Sequence, residues 1–130
     1  GLNAANQPFF TVSVNETLLY PGGAQATYSS TRTRTLVEGA STTARIDDVW
    51  NISGSASGTN RNGVSYTLNI TSPLVKKVAC PWISAGVLQF IANGKTRSLD
   101  FGDGTCDKDA TLTLADGTTK SVKIRHFWWR

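Results

Sequence analysis

Few side chains in this chain could carry out chemistry. There is one histidine, His126, and there are two cysteines, Cys80 and Cys106. A Ser-His-Asp arrangement would depend on His126 alone, which lies close to the end of the sequence. A glycosidase pair would need two carboxylates that face the same sugar, and the adjacent Asp47 and Asp48 would point to opposite faces of a strand. The sequence therefore predicts a protein that is not an enzyme and that needs no cofactor.

The two cysteines favour a disulfide over a metal site or a reactive thiol. Cys80 and Cys106 are 26 positions apart, with no CxxC pair and no histidine near either of them. Zinc would lack ligands, and a catalytic thiol would lack a base other than His126. A disulfide indicates an oxidising compartment, so we expect a secreted or cell-surface protein.

A run of aspartates between residues 100 and 109 could have either of two roles. Asp103, Asp107 and Asp109 could supply hard oxygen ligands to calcium. Their spacing is not that of an EF-hand loop. Turn formation by Asp103-Gly104, with loop capping by Asp107 and Asp109, explains the same residues without a metal. We favour the turn, and calcium binding is the alternative.

Strands must position these side chains, because apolar and polar residues alternate along most of the chain. The alternation predicts strands near residues 10–20, 24–36, 45–57 and 64–70. Three dipeptides of the kind that form tight hairpin turns follow in the second half: Asn62-Gly63, Asn93-Gly94 and Asp116-Gly117. The pattern predicts an all-β fold, an antiparallel β-sandwich of about seven to nine strands that is immunoglobulin-like in general architecture.

Length, composition and charge agree with a single β domain. The 130 residues include 17 Thr, 12 Ser and 8 Asn but only two Glu and no Met, a composition that favours strands and turns over helices. We expect one domain over residues 1–130, with a flexible start at residues 1–8. No apolar run approaches the roughly 20 residues of a membrane-spanning helix. The first residues also lack a signal peptide, so the chain is expected to be a mature or excised piece.

The positive charge does not indicate a nucleic-acid partner. The net charge is +4, but the cations are spread along the whole chain, often at every second position, as in Arg32 and Arg34. Strands present a solvated face in this way, and the charges discourage edge-to-edge pairing. The same alternation places the C-terminal Trp128 on one face and both Phe127 and Trp129 on the other. These three aromatic residues either cover the domain's own surface or meet a partner or a sugar.

Several motifs in the second part of the chain resemble those of known β domains. The quoted segments are Asn62-Gly63-Val64, Thr71-Ser72-Pro73-Leu74-Val75, Cys80 and Asp100-Phe101-Gly102-Asp103-Gly104-Thr105-Cys106-Asp107. In this order they resemble a disulfide-containing β domain of secreted and surface proteins of Bacteroidetes. The resemblance runs from about residue 50 to residue 124 and implies a noncatalytic domain of the cell envelope. Residues 100–105 alone also resemble the signature hexapeptide of polycystic-kidney-disease-type (PKD) repeats, which are extracellular β-sandwich modules.

We therefore expect an extracellular or cell-surface accessory domain, associated with the outer membrane, that displays surface or binds an envelope protein. One alternative is a carbohydrate-binding module, which would need exposed coplanar aromatics such as Trp129, Trp82 or Tyr66. The other is a self-assembling, pilus-like subunit, in which the strand at residues 9–20 or the tail at residues 127–130 pairs with another copy.

Overall fold

The computed structural model describes residues 1–124, and eight strands make up the regular structure of that range. The strands are β1 (Phe9–Leu19), β2 (Gln25–Glu38), β3 (Val49–Thr59), β4 (Ser65–Lys77), β5 (Ile83–Ala92), β6 (Lys95–Asp103), β7 (Asp109–Thr113) and β8 (Thr119–Lys123). No helix occurs in this range, so none of the described segments is a helix long and apolar enough to cross a membrane.

Every strand pairs antiparallel with the next one, and the eight strands form one sheet in the order β1 to β8. The prediction of an all-β, antiparallel fold with seven to nine strands is confirmed. The two packed sheets of an immunoglobulin-like sandwich are not confirmed, because residues 1–124 contribute all their strands to the same sheet. Short connections explain this topology: a tight turn leaves consecutive strands as neighbours. At the β5–β6 turn, Asn93 and Gly94 both adopt positive φ angles, of 53° and 70°.

The core lies on one face of this sheet and is concentrated in its second half. A single cluster joins residues from β3 to the end of β8: Ile52, Leu74, Ile83, Leu88, Phe101, Ala110 and Ile124. The cluster runs through neighbouring strands: Ile52 lies opposite Leu74 in the β3–β4 register, and Ile124 directly follows β8.

Two strand boundaries differ from the predicted ones. Strand β3 begins at Val49, so the prediction that it starts at Arg45 is wrong. Residues 45–48 form a turn, in which the Asp48 N–H donates to the Arg45 carbonyl oxygen, and Ile46 is exposed. Strand β4 continues past Pro73, because irregular pairing on both of its sides accommodates the missing N–H.

Residues 1–8 fold back on the start of β1. The Gly1 ammonium group donates to the Phe9 carbonyl oxygen, and the Phe9 N–H donates to the Gly1 carbonyl oxygen, both at 2.9 Å. The Asn3 side-chain oxygen accepts hydrogen bonds from the N–H groups of Ala5 and Gln7. The predicted flexibility of this segment concerns its motion, and it stays a prediction.

A disulfide links the loop before β5 to the loop after β6. Cys80 and Cys106 are bonded, with their Cα atoms 5.8 Å apart, and Cys80 is buried. The same two loops are joined by the Lys77 ammonium group, which donates to the Gly104 carbonyl oxygen at 2.7 Å. The Gly104 N–H in turn donates to the carbonyl oxygen of the buried Ser84. These contacts hold together one end of the half of the sheet that carries the core.

We expect reduction of the Cys80–Cys106 bond to destabilise the fold by about 3.5 kcal/mol, because it releases a loop of this length in the unfolded chain. The melting temperature should fall by roughly 10 °C, since a domain of this size loses about 3–5 °C per kcal/mol. Calorimetry with and without reductant measures the shift. Two free thiols per chain in the unfolded, unreduced protein would contradict the bond.

Gly86 provides a test of the irregular β4–β5 pairing. Its φ angle is +109°, and an added Cβ atom would lie 2.5 Å from the Pro73 carbonyl oxygen. We expect Gly86→Ala to destabilise the protein by about 3 kcal/mol or more through clash and backbone strain. Gly94→Ala is the matched control: its φ angle is also positive, but a Cβ atom there meets nothing within 4 Å, so it should cost only about 1–2 kcal/mol. Equal losses in thermal unfolding would refute the close approach.

Candidate interaction surface along the first strand

The apolar residues of β1 remain largely exposed, although their alternation resembles that of a core strand. Phe10, Val12, Val14 and Leu18 share one face because strand side chains alternate with period two. Phe10 is 46% exposed, Val12 39% and Leu18 56%. Phe10 makes an edge contact with Trp50, their ring centroids being 5.7 Å apart. The apolar face is therefore buried in the second half of the sheet and open to solvent at the β1 end.

The backbone groups on the outer side of β1 can be assigned from the β1–β2 ladder. The Leu36 N–H donates to the Pro8 carbonyl oxygen, and the Tyr20 N–H donates to the Ala24 carbonyl oxygen, both at 2.8 Å. Each bond joins two even-numbered residues that lie opposite one another when the β1–β2 register is continued past the ends of the ladder. Antiparallel strands alternate the direction of their backbone groups, so even-numbered residues of β1 bond to β2 and odd-numbered residues point outward.

The outward-facing positions begin where the N-terminal segment ends. Phe9 is already paired with Gly1. Beyond it, five residues direct their N–H and C=O groups away from the sheet: Thr11, Ser13, Asn15, Thr17 and Leu19. Within residues 1–124 no strand pairs with this side of β1. The result is a nine-residue backbone edge with donors and acceptors in regular order.

The two edge strands of the sheet differ in how well they are protected against pairing. Strand β8 has five residues, two of which are Lys120 and Lys123, and short length and lysines both discourage strand addition. Strand β1 has eleven residues, of which only Glu16 is charged, and it contains no proline. Its ladder with β2 runs without a bulge from Phe9 to Leu19. An edge that is long, regular and nearly uncharged is the kind that accepts another strand.

On the opposite face, the side chains close to the β1 edge are mostly hydroxyl and amide groups. Cross-strand pairs of hydroxyl groups lie within hydrogen-bond distance there, including Thr11 with Thr33 at 3.0 Å and Thr27 with Thr59 at 3.0 Å. The Ser29 hydroxyl donates to the Asn15 side-chain oxygen at 2.6 Å. These bonds order the side chains beside the β1 edge, so this part of the edge is already ordered in the unbound chain.

A cluster of cations lies beside the apolar residues of β1. Arg32 and Arg34 stand opposite Val12 and Phe10 in the β1–β2 register. Burial, together with the charge of Arg32, lowers the pKa of Arg34. Burial and the charge of Arg34 likewise lower the pKa of Lys76 on β4. The exposed apolar surface of β1 is thus bordered by positive charge.

The aspartates proposed as calcium ligands are used in turns and in an ion pair. Asp103 accepts hydrogen bonds from Thr105, and these bonds lower the pKa of Asp103. Asp107 accepts from the Asp109 N–H at 3.1 Å, and Asp109 itself forms an ion pair with Lys123. In the described part of the chain, no three His, Cys, Asp or Glu side chains are grouped so that they could hold a metal ion.

The structure describes two of the other predicted site residues, Tyr66 and Trp82, and both are half-buried. Tyr66 stacks on Phe90 with ring centroids 6.0 Å apart, and Trp82 packs against the core cluster. Phe127, Trp128 and Trp129, predicted to bind a partner, lie outside the described residues. The feature in the sequence that identifies the β1 edge is its length without Lys or Pro.

Comparisons with known proteins assign neither a family nor a function to this chain. No protein-family model matches the chain, and neither the curated proteins nor the solved structures contain a significant match.

Proposed function

We propose that this protein is a noncatalytic assembly domain, which binds a protein partner through the outer edge of β1. The observation that carries the proposal is the row of outward-facing backbone groups from Thr11 to Leu19 beside an exposed apolar face. An added strand would satisfy those groups and cover part of Phe10, Val12 and Leu18. Main-chain hydrogen bonds would provide affinity, and the side chains on the two faces would provide specificity.

We place this domain outside the cell or on its surface. The Cys80–Cys106 bond supports that location, because structural disulfides persist in oxidising compartments. The resemblance of residues 50–124 to a β domain of Bacteroidetes surface proteins supports an envelope protein as the partner and an association with the outer membrane. The immunoglobulin-like, two-layer arrangement predicted from the sequence stays a proposal, in which the second layer would lie over the apolar face.

Site-specific photocrosslinking in the organism that makes the protein tests this function. A photoreactive residue replaces Ser13 on the β1 edge or, as a matched control, Ser55 on β3. Both serines are exposed on the same face and lie in one cross-strand row, through Thr31. We expect protein adducts from position 13 and few from position 55, because one side of β1 has unpaired backbone whereas β3 is paired on both sides. Equal adduct yields from the two positions, or no adduct from position 13, would overturn the proposal.

A further inference from the structure

We infer that the strand added to β1 is β1 of a second copy, running antiparallel, with Asn15 of one chain opposite Asn15 of the other. This inference rests on the proposed function and specifies its partner. The two eight-stranded sheets would then become one continuous sheet with a twofold axis at its centre.

The position of the axis follows from the limits of the unpaired edge. The Gly1–Phe9 pairing closes the edge at one end, and β1 stops at Leu19 at the other. The five outward-facing residues from Thr11 to Leu19 are centred on Asn15. Pairing two copies about that residue places Thr11 opposite Leu19 and Ser13 opposite Thr17. All five outward-facing residues of each chain then find a backbone partner.

The side chains of β1 are compatible with this register. On the apolar face, Val12 of one copy lies opposite Leu18 of the other, and both are exposed in the single chain. Glu16, the only charged residue of β1, lies opposite Val14 and not opposite a second carboxylate. A shift that placed Glu16 opposite itself would bring two like charges together and would leave Thr11 without a partner. Charge and ladder length therefore disfavour that shift.

A second copy also fits this edge better through β1 than through β8. Pairing β1 with β8 of another chain would offer only the five residues Thr119–Lys123, with two lysines among them. That pairing is also head-to-tail and leaves further edges open, so it would produce fibres. The β1–β1 contact uses the same surface on both chains and closes after two copies.

Two lysine substitutions on the same strand and face test the register. In the proposed pairing, Val14→Lys places a lysine opposite Glu16 of the other copy, twice per dimer. We expect the dimer dissociation constant to fall by about twofold or more, since cross-strand charge pairs contribute roughly 0.2–1 kcal/mol each. Val12→Lys, its matched control, replaces an apolar contact with Leu18 and should weaken the dimer. Sedimentation equilibrium measures both constants, and high salt should remove the gain from Val14→Lys.

The outcomes for these variants distinguish the proposed register from other registers. If Val12→Lys tightens the dimer and Val14→Lys weakens it, Val14 faces itself, and the register centred on Asn15 is wrong. Ser13→Pro is a second probe: it removes an outward N–H but no bond to β2, so it should abolish dimers while thermal unfolding shows the chain still folded. A strictly monomeric wild-type protein, an open fibre, or a dimer unaffected by Ser13→Pro would overturn the inference.

The photocrosslinking yields separate this inference from the proposed function. Adducts from position 13 with a mass of two chains support the β1–β1 contact. Adducts from position 13 to a different protein only would retain the proposed function and overturn the inference. No adduct from that position would overturn both.

Discussion

Burial of the apolar face over the second half of the sheet is the interaction on which this structure depends. Residues 1–124 place all their strands in one sheet, and the buried apolar side chains form a single cluster. The cluster extends from β3 to the residue after β8 and includes Ile52, Phe101 and Ile124. It does not include β1, where Phe10, Val12 and Leu18 stay exposed. The stable core and the exposed surface are thus two parts of the same face.

The contacts that hold the core half of the sheet together lie far from the β1 edge along the sheet. The disulfide and the hydrogen bond from Lys77 to Gly104 join loops next to β5 and β6, and Gly86 allows β4 and β5 to approach closely at an irregular pairing. None of these contacts involves β1. A change in the partner of β1 would therefore leave the core packing intact, an arrangement suited to a domain that associates through one edge.

The two faces at the β1 end differ in chemistry, and each bears on association. Ordered hydroxyl and amide side chains cover one face and offer no charge that would repel a neighbouring strand. The other face combines exposed apolar side chains with the cations Arg32 and Arg34. A strand that pairs with β1 meets both faces at once. Glu16 is the one charged group in β1 that can discriminate between registers.

The sequence by itself determined the secondary structure and the turns. Alternation identifies strands, and Asn93-Gly94 specifies a two-residue turn because these residues tolerate positive φ angles. The two cysteines have no metal-ligand partners near them in the sequence, and this predicted the disulfide between them. Local patterns show which side chains share a face, but they do not show what covers that face. The alternation in β1 therefore resembles that of a buried strand, and only the tertiary structure shows it at an open edge. The single sheet and the continuation of β4 past Pro73 were also decided by tertiary structure, because each depends on contacts between residues far apart in the chain.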